Sequence, residues 1–133
     1  MDKGTVLTVP FFVERFRKMT LLFVYGTLKS DGRANHFMQS GQLLGEAVTE
    51  PSFQLYSAGW FPIMKSVSDG IAIEGELWEL PENVISRIDS YEGSGFRKNI
   101  IKLQEPYRGK TVLAYLYKDS VGDLPEIGHK WEN

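Results

Sequence analysis

The sequence predicts an α+β domain in which strands outnumber helices. Three observations carry that prediction. Residues Leu21-Leu22-Phe23-Val24 are apolar without alternation, residues 71–77 alternate, and one helix is punctuated at both ends, by Pro81 and Gly93. An unalternated apolar run marks a strand covered on both faces. Alternation at period two marks a strand with one buried face.

Each element has its own signal. Residues 33–39, after a Ser-Asp-Gly turn, read as a short helix, and 42–49 and 52–57 read as strands separated by Pro51. A Gly59-Trp60-Phe61-Pro62 corner leads into a strand over 63–67, and Ser68-Asp69-Gly70 reads as a hairpin-type turn. In the next strand Ile71, Ile73 and Leu77 share one face and Glu74 and Glu76 the other. Gly75 interrupts it, as at a bulge or a close backbone approach. Pro81 and Glu82 suit a helix start, Val84, Ile85 and Ile88 form its apolar stripe, and Gly93 sits at its C-terminal cap. Strands over 97–104 and 110–118 complete the pattern. In the last, Val112, Ala114 and Leu116 alternate with Leu113, Tyr115 and Tyr117.

Bulk properties bound the function. The chain has 133 residues, the length of one domain, and a chain of this size buries roughly two thirds of its unfolded surface. We divide it into an N-terminal extension or leader over 1–19 and a single domain over 20–133. Residues 11–18, FFVERFRK, suit an amphipathic turn or two of helix, and Met19 is a plausible translation start. Cysteine is absent, which excludes disulfides and thiolate metal sites and is compatible with a reducing, cytoplasmic setting. A formal net charge of −2 argues against a nucleic-acid partner. No apolar run approaches the ~20 residues that span a membrane. Nothing obliges more than a monomer.

Two places in the chain suggest chemistry. Glu92 lies four and seven residues beyond Ile88 and Ile85, on the core-facing stripe at the last helical turn. Desolvation and the negative helix end both disfavour its carboxylate, and a carboxyl group nearer neutrality can take and return a proton. The alternative is a frayed last turn with Glu92 in water. Asp89 lies three residues earlier, a spacing too common on helices to mark a carboxylate pair. Gly26 ends the buried strand. It permits a positive φ and leaves backbone N–H groups free to face a ligand, or it serves a simple tight turn. Phosphate-binding and nucleophile-elbow motifs are missing. His36 and His129 lack ligand spacing and read as polar surface or capping residues. Gly93-Ser94-Gly95 is a linker or a mobile edge to the site.

Several short motifs fall in order: Phe23-Val24-Tyr25-Gly26-Thr27-Leu28-Lys29, then Asn35-His36, then Tyr56 with Gly59-Trp60-Phe61-Pro62-Ile63. After them come Gly75-Glu76-Leu77-Trp78-Glu79-Leu80, Ile88-Asp89-Ser90-Tyr91-Glu92-Gly93, Phe96-Arg97-Lys98 and a late strand with Tyr115. Together, over about residues 20–118, they resemble the γ-glutamylcyclotransferase-like family, which includes γ-glutamylamine cyclotransferases and plant avirulence-induced proteins. Ile88 stands in place of a usual Leu, and Phe96 where Tyr is frequent.

The resemblance implies a small mixed β-barrel, closed or nearly closed, with short helices packed outside. It implies a cyclotransferase that converts a γ-glutamyl amine or amino acid to 5-oxoproline and a free amine, with no cofactor. Glu92 would be the acid/base, and Tyr25, Gly26, Thr27, Leu28, Pro62 and Tyr115 would bind substrate. The motif pattern leans towards the γ-glutamylamine branch. The alternatives are a non-catalytic module binding a small amino-acid-like ligand, and removal of a γ-glutamyl protecting group from a larger biosynthetic product.

Overall fold

A computed structural model describes residues 18–133. Residues 1–17 lie outside the described residues, and with them nearly all of the expected amphipathic turn over 11–18. The described chain is α+β. Eight strands are β1 Met19–Val24, β2 Gln42–Val48, β3 Phe53–Ser57, β4 Pro62–Ser66, β5 Glu74–Pro81, β6 Phe96–Ile101, β7 Val112–Tyr117 and β8 Glu126–Ile127. One α-helix, α1 Glu82–Glu92, and one 3-10 turn, Asn35–Met38, accompany them.

The strands form two sheets, in the orders β2-β5-β1-β7-β6 and β4-β3-β8. The expected barrel is therefore not closed by hydrogen bonds, although the sheets face each other across a common core. The β1–β5, β2–β5 and β6–β7 pairs are antiparallel, and β1–β7 is parallel. Isolated bridges Thr49–Leu103 and Phe53–Ile71 run beside the ladders.

The unalternated run in β1 has the double burial its composition predicts. Phe23 and Tyr25 enter the core between the sheets, with Leu55, Met64, Ile73 and Leu77. Leu22 and Val24 enter a second core beneath α1, with Leu80, Val84, Ile85 and Ile88. Strand β7 divides likewise: Val112, Ala114 and Leu116 join the first core, and Tyr115 the second. Each such side chain removes apolar area from water at roughly 25 cal/mol per Å², so a strand buried on both faces is the costliest to perturb.

Other expectations change in detail. The helix over 33–39 shortens to the 3-10 turn Asn35–Met38. Ile71–Ile73 is not part of β5. Strand β5 begins at Glu74 and runs to Pro81, so it passes into α1 without a loop. The Ser68-Asp69-Gly70 turn joins no hairpin, because β4 pairs with β3 while β5 pairs with β1 and β2. The two-residue β8 has too little pattern to be seen in sequence.

Gly75 marks a close approach. A Cβ there would lie 2.4 Å from the Val24 carbonyl oxygen and 2.7 Å from the Phe23 ring. The bulge in this sheet is instead in β2, between Leu43 and Gly45. Gly75→Ala is expected to destabilise the protein by about 1–3 kcal/mol by overpacking, read as a lower urea midpoint at unchanged slope. An unchanged midpoint would show that β1 and β5 can separate there without cost.

Candidate active site

The end of β1 turns sharply. The amide of Lys29 donates to the Gly26 carbonyl at 3.1 Å, and that of Ala34 donates to the Thr27 carbonyl at 2.9 Å. Among the described residues, the amides of Gly26, Thr27 and Leu28 find no acceptor. Gly26 does not adopt a positive φ. Its requirement is steric, since a Cβ would stand 2.6 Å from Cγ of Pro62. The tight turn and the close approach thus occur together, and Pro62 from β4 closes over the turn.

The turn is held from outside. The Asn133 side-chain amide donates to the Gly26 carbonyl at 3.0 Å and to the Asp31 carboxylate at 2.9 Å. Nζ of buried Lys29 donates to the Trp131 carbonyl at 2.9 Å. The Ser30 amide and hydroxyl both donate to the Glu76 carboxylate, which also accepts from the indole of Trp78. This gives a structural role to the polar face of β5. Side chains of the C-terminal tail and of β5 thus fix the turn that the apolar strand delivers.

Opposite the turn lies the end of α1. Val84, Ile85 and Ile88 are buried as the stripe requires, and Glu92 is half-buried on the same side. Burial pushes its carboxyl from the ordinary 4.5 to about 7, so it exchanges a proton near neutrality. Desolvation accounts for the rise; the helix end is not needed to explain it. Asp89 is committed elsewhere. Its carboxylate accepts the Tyr115 hydroxyl at 2.5 Å and pairs with Lys98 at 3.0 Å. Tyr25 donates in turn to the Tyr115 carbonyl at 2.6 Å. Burial keeps both phenols neutral: the Tyr25 hydroxyl is pushed well up, with the Glu92 charge adding and the Met64 backbone opposing. Tyr115 is also raised, by burial and then by its bond to Asp89.

These parts enclose a cavity of about 250 Å³. All seven residues singled out in the sequence line it: Tyr25, Gly26, Thr27 and Leu28 from the turn, Pro62 from β4, Tyr115 from β7 and Glu92 from α1. Arg33, Phe61, Tyr91 and Phe96 line it too. Sequence reasoning missed the first three as site residues. Tyr91 bonds Thr27 through its hydroxyl at 3.0 Å and stacks on Phe37, so it ties the helix end to the turn. Its position beside Glu92 was the available signal. Phe96 packs against Tyr117 and brings an apolar wall where a hydroxyl is frequent in the family resembled. His36 stacks on Phe37, and His129 pairs with Glu74. Among the described residues no three His, Asp or Glu side chains gather to hold a metal ion, and no helix is long and apolar enough to cross a membrane.

Residues 22–133 match the family described as gamma-glutamyl cyclotransferase, AIG2-like. A Vibrio cholerae protein, provisionally named a gamma-glutamylcyclotransferase, is 31% identical over 75% of this chain and 84% of its own. A uropathogenic Escherichia coli-specific protein of known structure superposes with a TM-score of 0.74 at 30% identity, covering 83% of this chain and 88% of that one. An AIG2-like protein from Mus musculus shares the fold, with a TM-score of 0.75 at 22% identity over 86% and 88% of the two chains.

The desolvation of Glu92 has a signature in stability. Below about pH 4.5 the carboxyl is protonated in both the folded and unfolded chains and costs nothing. Between 4.5 and about 7 the folded state keeps a proton that the unfolded state releases, so stability falls as pH rises. Above that window the penalty is complete, at about 3 kcal/mol from a shift of this size. Glu92→Gln carries no such penalty. Its melting temperature is expected to exceed that of the wild type at pH 8 and to approach it at pH 4.5. Parallel curves across the range would show an ordinary, solvated carboxylate.

Proposed function

Since the chain belongs to the gamma-glutamyl cyclotransferase, AIG2-like family, we propose that it converts a γ-glutamyl amine or γ-glutamyl amino acid to 5-oxoproline and a free amine. The observation that carries this reading is a carboxyl group poised near neutrality on one wall of a cavity, facing a turn with uncommitted amides on the other. The α-amino-acid end of the substrate lies against the Tyr25–Leu28 turn, and Pro62 and Tyr115 bound it. The carboxylate of Glu92 removes a proton from the α-amine. The amine nitrogen attacks the γ-carbonyl carbon, and a carbon–nitrogen bond closes the five-membered ring. The tetrahedral oxyanion is stabilised by turn N–H groups. The original amide bond then breaks, and Glu92 returns the proton to the departing nitrogen. No water, electron or cofactor enters the balance.

The reaction is intramolecular, so holding one near-attack rotamer of the substrate supplies much of the acceleration. A cavity of about 250 Å³ is large enough to admit a glutamyl group. Nothing in the chain obliges a second copy, and we take the protein as a monomer. We place it in the cytoplasm, a setting compatible with a chain without cysteine. We assign the function to the domain over 20–133, with 1–19 as an extension.

The test is 5-oxoproline release from γ-glutamyl-ε-lysine, γ-glutamyl-alanine and glutathione, with Glu92→Gln alongside. Glu92→Gln is expected to lose turnover by roughly 10²–10⁴-fold, the usual contribution of a positioned acid/base. In the wild type, kcat/KM is expected to rise with pH through a midpoint near 7, because the proton-accepting form of Glu92 is required. Full activity in Glu92→Gln would remove it from the mechanism. No release from any compound, together with saturable binding, would favour a non-catalytic binding module.

Gly26→Val is expected to raise KM or abolish binding, since the new side chain would collide with Pro62 at the cavity wall. An unchanged KM would take the turn out of the binding site.

A further inference from the structure

The proposed reaction leaves open what the departing nitrogen carries. The geometry points to an answer, which rests on the γ-glutamyl reading above. A second cavity, of about 410 Å³, shares two residues with the first, Thr27 and Arg33. Arg33 therefore stands where the two cavities meet. Among the residues lining either cavity it is the one cationic side chain. Its guanidinium stands 5.9 Å from the centre of the Trp60 ring. A stacked guanidinium keeps its N–H fork in plane and open to a second partner. Among the described residues it forms no ion pair with a carboxylate within 4.0 Å. Trp60 itself is 78% exposed, an unusual place for a large aromatic side chain in a folded protein.

The remaining charged side chains of the second cavity are Asp31 and Glu132. Asp31 already accepts a hydrogen bond from Asn133. Neither acid lines the first cavity, whereas Arg33 does. The first charge met on leaving the Glu92 cavity is thus positive. In a γ-glutamyl α-amino acid the leaving-group carboxylate is only two bonds from the scissile nitrogen. In a γ-glutamyl-ε-lysine it is several methylenes away, and in a simple γ-glutamyl amine it is missing.

We propose that Arg33, steadied on Trp60, binds the carboxylate of an α-amino-acid leaving group and so makes γ-glutamyl α-amino acids the preferred substrates over γ-glutamyl amines. The Trp60 face lies beside the side chain of that amino acid. Arg33 is a specificity residue and takes no proton.

Two compounds differing only in that charge test the proposal: γ-glutamyl-alanine and γ-glutamyl-alanine amide. Wild-type kcat/KM is expected to favour the free acid by about tenfold or more, as a charge-assisted bidentate contact provides. In Arg33→Gln the ratio of the two is expected to fall to near one, chiefly through KM for the acid. Arg33→Lys is expected to restore part of the ratio, and Trp60→Ala to lower it. Equal turnover of acid and amide by the wild type, or an equal loss of both in Arg33→Gln, would overturn the proposal.

Binding separates this from the reaction itself. Calorimetric titration of Glu92→Gln with the same two compounds is expected to show the acid preference and its loss in Glu92→Gln combined with Arg33→Gln. If 5-oxoproline is never formed yet this preference is found, the reaction fails and the role of Arg33 stands. If neither compound binds, both fail.

Discussion

The burial of β1 on both faces is the constraint on which the rest of the structure depends. Leu22 and Val24 pack beneath the helix, and Phe23 and Tyr25 pack between the sheets. The strand also sits between β5 and β7 in its sheet. It is paired on both edges, and over Leu22–Val24 both faces are buried, so its direction and register are strongly specified. The Tyr25–Leu28 turn is continuous with its C-terminal end and is therefore delivered to one place. A turn hung from so constrained a strand makes a firm wall for the cavity it lines.

The same strand sets the opposite wall. Helix α1 packs its Val84, Ile85 and Ile88 stripe onto the second core, which contains Leu22 and Val24. That contact fixes the rotation of the helix, and the rotation brings Glu92 to the cavity. A hydrogen-bonded chain then joins the elements: Tyr25 to the Tyr115 carbonyl, Tyr115 to Asp89, and Asp89 to Lys98. This chain satisfies the phenols and gives Asp89 a cationic partner, which leaves Glu92 as the acid of the pair that burial desolvates. Two carboxyl groups three residues apart on one helix therefore behave differently. One is paired and partly exposed. The other is desolvated and poised near neutrality, the separation of environments by which a protein assigns acid/base roles.

Much of this was legible in the chain. The run at 21–24 predicted a doubly buried strand because apolar side chains there leave no face for water, and the alternation over 112–117 marked a second strand, whose division between both cores only the structure showed. The helix was legible because Pro81, the stripe and Gly93 agree, and its bounds shifted by only one residue. The motif resemblance brought together seven residues that the structure places around one cavity. The misreadings share a cause. Ser68-Asp69-Gly70 has hairpin chemistry, but a turn does not choose which strands pair, and the strands around it entered different sheets. A glycine at position 26 suggests a positive φ, whereas the true restriction comes from Pro62, thirty-six residues away in sequence and in contact only after folding.

Local physics, acting over a few residues, is what the sequence by itself determined: which segments are strands, where the helix starts and stops, and that Glu92 follows an apolar stripe. Those features come from periodicity and capping, which depend on near neighbours. Tertiary structure alone decided the open two-sheet arrangement, the depth of burial that raises Glu92, the commitment of Asp89 to Tyr115 and Lys98, and the meeting of Arg33 with Trp60. Each of these depends on residues distant in the chain. A pKa or a cavity is set by everything within several ångströms, and no sequence window contains that neighbourhood.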